Sequence, residues 1–230
     1  ARNSAIAGGG GGIFTDLEVD LTLTETVLSH NTAGSDGGAV RSEHKTTTVV
    51  SDSAFTDNIA AGGGGGLSAF AEGALSIEGV VFSGNRAGLD GGGGLSTDGP
   101  GEVDIDETTF SSNFAEGYGG GLAINSFGAV TMTDSTVRDN TSLGRGGGLS
   151  DQGKEVTLAR VYIYANSAAE DGGGIDNKSG GALEVLDSTI HKNTAANGGG
   201  LANAADSTLL GSRSTLRENR AGGNGGGLAN

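Results

Sequence analysis

Three residues before a recurring asparagine the chain carries an apolar side chain every time: Leu28, Phe55, Phe82, Phe110, Val137, Ile163, Ile190 and Leu216. Ten and eight residues before that asparagine stand Leu21/Leu23, Thr48/Val50, Leu75/Ile77, Val103/Ile105, Val130/Met132, Val156/Leu158, Leu183/Val185 and Leu209/Gly211. A spacing of two is the alternation of a strand with one face buried. Five before it the side chain is mostly hydroxylic, as in Thr26, Ser53, Thr108, Ser135, Ser188 and Ser214, and two after it the side chain is small, as in Ala33, Ala60, Ala87 and Ala115. No stretch keeps a 3.6-residue period long enough for a helix. Each period therefore reads as two or three strands of about 3–5 residues joined by bends.

The asparagines themselves are Asn3, Asn31, Asn58, Asn85, Asn113, Asn140, Asn166, Asn193 and Asn219, spaced by 26 to 28 residues along the whole chain. A second marker shares the period: a run of small residues closed by one aliphatic, Ile13, Val40, Leu67, Leu95, Leu122, Leu149, Ile175, Leu201 or Leu228. A leucine-rich repeat of similar length would need an aliphatic where this chain has its hydroxyl column. The economical solution is an all-β solenoid of about nine coils, a parallel β-helix in which each period stacks on the last. With strands about 4.8 Å apart, eight steps give a rod of about 38 Å between the first and last asparagine. The asparagines are expected to stand at one bend in left-handed backbone and to form a ladder, each amide donating to one neighbouring coil and accepting from the other.

Composition narrows the picture further. Forty-seven glycines in 230 residues, with one proline and no strict triplet period, exclude collagen and point to tight bends or close packing. Thirteen basic against 28 acidic residues give a net charge of -15, which disfavours nucleic acid and anionic membranes as partners. No apolar run approaches the length of a bilayer span, so no direct membrane insertion is expected. With no cysteine the chain has no disulfide, no thiolate metal site and no cysteine nucleophile.

Phe55-Thr56-Asp57-Asn58, Phe82-Ser83-Gly84-Asn85 and Phe110-Ser111-Ser112-Asn113 match FxxN, and Gly37-Gly38-Ala39-Val40 matches GGA followed by an aliphatic. In these motifs the chain resembles the polymorphic outer membrane protein repeats of bacterial surface proteins. The wider resemblance is to right-handed parallel β-helix proteins, through units such as Asp187-Ser188-Thr189-Ile190-His191-Lys192-Asn193-Thr194-Ala195 followed by Gly198-Gly199-Gly200-Leu201. The handedness comes from this resemblance. It implies a secreted or surface-displayed stalk used in adhesion or as structural material, often within a longer polypeptide, and it implies no shared catalytic residues. Both ends of the chain fall mid-coil, so a single domain over residues 1–230 is expected to be an ordered piece of a longer solenoid.

Candidate chemistry is sparse. The column six before the asparagine holds Glu25, Asp52, Gly79, Glu107, Asp134, Arg160, Asp187 and Arg213, with Asp104 and Asp106 beside it. Stacked carboxylates could hydrolyse a glycan or hold calcium; otherwise they keep a corner soluble. No other cofactor is expected. Asp36, Asp90 and Asp171 precede glycine runs, but the calcium-binding nonapeptide repeat has a shorter period. His30, His44 and His191 read as surface residues.

The glycines immediately before the aliphatic marker, including Gly66, Gly94, Gly121, Gly148, Gly174 and Gly200, should by alternation face outward. They would leave a bare-backbone contact face for another β-helix, a second copy or a glycan, with a role inside the bends as the other reading. The segment from marker to next strand keeps 7 or 8 residues in every coil, so no groove wall of long loops is expected. Together these features favour a non-catalytic structural or adhesive module, extracellular or at a bacterial cell surface, with surface proteins, glycans or copies of itself as partners. The alternative is a carbohydrate-active lyase or hydrolase built on the acidic column, whose turnover would be lost on Asp106→Asn or Asp134→Asn.

Overall fold

In the computed structural model, which describes every residue except Ala1, Ala71 and Ser179, the chain is all-β among the described residues. One period contributes four strands rather than two or three: Val40–Ser42, Thr48–Ser51, Ala54–Thr56 and Ile59–Ala60. The additional one is the two-residue strand after the ladder asparagine, too short to show alternation. Equivalent strands of successive coils pair in parallel and build four sheets, two of nine strands and two of eight. The register is set by like residues. Leu67 lies between Val40 and Leu95, and Phe82 between Phe55 and Phe110.

Alternation along the strands sorts the core from the surface: in Leu75–Glu78 the side chains of Leu75 and Ile77 are buried and that of Glu78 is exposed. Phe55, Phe82 and Phe110 stack nearly parallel, with ring centroids 4.8 and 4.9 Å apart, close to the strand spacing itself. The hydroxyl column closes the bend between the second and third strands. Ser135 Oγ donates to Thr133 O at 2.6 Å and accepts from Thr108 N at 3.0 Å, tying each corner to the coil before it.

Each coil turns at three columns of left-handed backbone. The first is the supposed acidic column, with φ of 48° at Glu25, 47° at Asp52, 45° at Glu107, 47° at Asp134, 57° at Arg160 and 47° at Asp187. The second is the residue just before the ladder asparagine, including His30, Asp57, Ser112, Asp139, Ala165, Lys192 and Glu218. The ladder asparagines are not among the positive-φ residues, so the expectation that they occupy the left-handed bend is corrected by one position. At both corners the side chain points to solvent, and the backbone strain of roughly 1–2 kcal/mol for a residue with a Cβ is tolerated. The third column is glycine throughout, from Gly10 to Gly225. There a Cβ has no room: at Gly64 it would lie 2.3 Å from Leu67 O.

Candidate functional site

The nine asparagines form the most regular feature of the interior. Asn113 Oδ1 accepts from both the backbone N and Nδ2 of Asn85, each at 3.0 Å, and its own Nδ2 donates to Phe82 O and to Asn140 Oδ1, each at 3.0 Å. Both amide hydrogens and both lone pairs are used. The same pattern links Asn3 to Asn31 at one end and Asn193 to Asn219 at the other. This satisfaction is what allows Asn58, Asn85, Asn140 and Asn193 to be wholly buried.

The glycines before the marker are not an outer face. Gly66, Gly94, Gly121, Gly148, Gly174 and Gly200 are all buried, and a Cβ on them would run into the interior. On Gly66 it would meet Phe82 Cδ1 at 3.0 Å, and on Gly174 it would meet Asn193 Nδ2 at 3.0 Å. Alternation fails here because the chain is still bending: the N–H groups of Gly66 and Leu67 both donate to Gly94 O, so neighbouring residues turn inward together. Glycine at this column lets the coil wall close onto the phenylalanine stack and the amide ladder.

The acidic column likewise does not converge. Its members sit on separate exposed corners, and two of the acids are taken up by arginines one coil on. Arg160 donates to Asp134 at 2.8 and 2.6 Å, and Arg213 to Asp187 at 2.6 and 2.7 Å. These bonds hold both carboxyls below the usual aspartate range. Asp106 is engaged by the Thr133 hydroxyl.

His44 is less isolated than its sequence position suggests. Its Nδ1 lies 2.7 Å from Asp16 Oδ1, and the hydrogen bond raises the imidazole above its ordinary value. Glu43 completes a cluster whose ligand-type atoms lie within 4.8 Å of one another, but Arg41 already neutralises Glu43. His30 approaches Asp57 at 3.7 Å, and His191 stacks on Tyr164 with centroids 5.1 Å apart.

A groove exists where uniform coil length argued against one. Its floor is the outer face of the sheet that begins at each marker, where Ser68 and Ser96 lie. One wall is the turn before the marker, carrying Asp36, Asp90, Tyr118, Arg145, Asp171 and Asn197, and the other follows the strand, carrying Glu43, Phe70, Asp98, Asn125, Gln152 and Lys178. Turns of similar length, 8 to 10 residues from asparagine to marker on one side and 7 or 8 from marker to next strand on the other, build a continuous wall because they project alike in successive coils. Three cavities of about 310, 440 and 440 Å³ follow one another along it, the first and second sharing Tyr118, the second and third sharing Arg145 and Lys178. Arg41 lies 3.2 Å from Asp36, and Arg145 lies 2.7 Å from Glu170 and 3.7 Å from Asp171, so much of the acidity is balanced within the walls. Burial and the nearby Asp90 carboxylate push the Tyr118 hydroxyl up.

Two acids are buried among the described residues, and neither stood out in the sequence. Asp176 lines the third cavity although it is 2% exposed, and burial raises its carboxyl to about 7. Asp151 faces the interior, accepts from Gly153 N at 2.7 Å, and is raised by burial to about 7. Beside Asp151 lies a second amide column, Asn177 to Asn203 at 2.7 Å and Asn203 to Asn230 at 2.6 Å. The available signal was an asparagine two residues after each of the last three markers, Ile175, Leu201 and Leu228.

Four parallel sheets wound about internal amide ladders, with one polar groove along the side, define a β-solenoid scaffold. Residues 63–229 match the family model described as right handed beta helix region, and the chain belongs to that family. No curated protein and no solved structure matches the chain.

Proposed function

We propose that this chain is a non-catalytic structural or adhesive module, outside the cell or on a bacterial surface, and that it binds an extended partner along the groove. The observation that carries this reading is the continuity of the groove over successive coils, lined by repeat positions among which Asp36 and Glu43 pair with Arg41, and Glu170 and Asp171 with Arg145. A wall of carboxylates, arginines, amides and a tyrosine, net acidic overall, offers hydrogen bonds to a hydroxyl-rich polymer. The FxxN motifs resembling polymorphic outer membrane protein repeats support the surface location. Glycans are the partner class that suits the groove best, ahead of surface proteins or copies of the chain.

A carbohydrate-active enzyme is the second reading, and Asp176 favours it. A groove carboxyl raised by burial to about 7, against the opposing pull of Arg145 and with Asp171 and Glu170 acting on its charge, has the character of a general acid. Incubation with a panel of neutral and acidic polysaccharides separates the two. Retention on an immobilised polysaccharide without new reducing or unsaturated ends, weakened by Tyr118→Ala, supports the binding module. Turnover abolished by Asp176→Asn overturns it in favour of the enzyme.

A further inference from the structure

The second amide column runs in one direction only. Asn177 Nδ2 donates to Asn203 Oδ1 and to Thr208 O at 3.2 Å, and Asn203 Nδ2 donates to Asn230 Oδ1 and to the backbone oxygens of Ala204 and Ser207 at 3.3 and 3.2 Å. Rotating either amide by 180° would turn its oxygen onto those carbonyls, acceptor against acceptor. The orientation is therefore fixed, and Asn177 Oδ1 is left without a donor.

The residue in register with Asn177 on the preceding coil is Asp151, whose Oδ2 is also buried and also lacks a partner. Asp151 Oδ1 is already occupied by Gly153 N–H. Two unpartnered acceptor oxygens on adjacent rungs of a closed interior would be strongly unfavourable. One proton resolves both.

We propose that Asp151 is carried as the neutral acid, that its Oδ2–H donates to Asn177 Oδ1, and that it thereby closes the interior ladder as a proton-operated latch between two coils. The surroundings agree. The strand before it offers Ile124 at the same register, the strand after it offers Asn177, and the following turn offers Gly153. Among the buried described residues the one other ionisable side chain is Asp176, and its charge, when ionised, adds to burial in favouring the proton on Asp151.

A carboxyl whose folded value lies above its unfolded value binds more protons folded than unfolded, so the stability it supplies is present in acid and is lost as pH rises through the folded value. The latch is shut at pH 5 and open at pH 8. Opening places an unpaired carboxylate against Asn177 Oδ1, and that coil junction becomes the first place where the interior loosens.

The test is a carboxyl carbon-13 NMR titration of Asp151 in the full chain, with Asp151→Asn and Asp176→Asn as companions. A midpoint for Asp151 near neutrality is expected. In Asp151→Asn a permanent Nδ2 donor replaces the acid proton. That variant should melt higher than wild type at pH 8, should lose less stability between pH 5 and pH 8, and should protect the Gly153 amide from exchange at pH 8. Asp176→Asn should leave the Asp151 midpoint near neutrality, with a small downward displacement from the lost charge. An Asp151 midpoint in the ordinary carboxylate range overturns the proposal, as does an Asp151→Asn variant with the wild-type dependence on pH.

Discussion

Replacing Asn113 by alanine removes four hydrogen bonds at once: two accepted from Asn85 and one donated to each of Phe82 O and Asn140 Oδ1. The damage lies in what stays behind. Asn85 is wholly buried, and its backbone N–H and one Nδ2–H lose their acceptor with no water to take over, whereas Asn140 Oδ1 keeps the Asn113 N–H. Two orphaned buried donors, each costing about 1–3 kcal/mol, set the expected loss at about 2–6 kcal/mol. Asn3→Ala is the control. The Asn3 side chain makes one described bond, Nδ2 to Asn31 Oδ1, and it is exposed, so alanine there removes that one bond, keeps the backbone N–H to Asn31 Oδ1 and orphans no donor. Its expected cost is below about 1 kcal/mol. Asn113→Asp sharpens the test, because it keeps the acceptor toward Asn85 but turns a carboxylate oxygen onto Phe82 O and Asn140 Oδ1. It should destabilise strongly at pH 7 and less at pH 4. Urea unfolding followed by circular dichroism, with the denaturant slope unchanged between variants, reads all three. Equal losses for Asn113→Ala and Asn3→Ala, or an Asn113→Asp variant indifferent to pH, would refute the reasoning.

Gly121→Ala would place a Cβ 2.8 Å from Gly148 O and 3.1 Å from Asn140 Cγ, while a Cβ on Gly211 meets nothing within 4 Å. The first should lower the melting temperature by several degrees and the second leave it within about a degree, since the clash is with backbone that cannot move aside. Phe82→Ala empties the middle of the three-ring stack and should cost about 3–5 kcal/mol in the same urea assay. Arg160 and Arg213 hold Asp134 and Asp187 below the ordinary value of 3.8, so the stability these pairs contribute is present above that value and is lost as pH falls through the depressed folded values. A double Arg160→Gln, Arg213→Gln variant should show a shallower acid limb in a thermal melt followed from pH 5 to pH 2, with little change at pH 7 because the pairs are exposed.

The interior was legible because it repeats. Phe55, Phe82 and Phe110 recur with the period, and so do the asparagines three residues after them, and in both cases the structure sets like against like. The hydroxyl column at Ser53, Thr108, Ser135 and Ser188 was legible for the same reason. Alternation misled at Gly66 and its equivalents because it counts faces along a strand, and these residues precede the strand in a bend. The corners were invisible because an exposed left-handed position accepts Glu25, Arg160 or Ala165 alike and leaves no residue signature. The groove escaped notice since it is made by turns of ordinary length. Asp151 and Asp176 read as two more acids in an acidic chain, and only their neighbours on adjacent coils reveal them as interior.

The asparagine ladder also gives the rod a direction. Backbone N–H groups bond forward to the next coil at Leu21 and backward to the previous one at Thr32, so the dipoles of the sheets largely cancel. The side-chain amides do not cancel. From Asn31 to Asn193 each carbonyl oxygen faces the earlier coil and one N–H faces the later. Their aligned dipoles add, as peptide dipoles do along an α-helix, leaving oxygen outermost toward Asn3 and hydrogen outermost toward Asn219. A coil laid on either end in the reverse sense would set like against like, so this architecture admits further turns only head to tail.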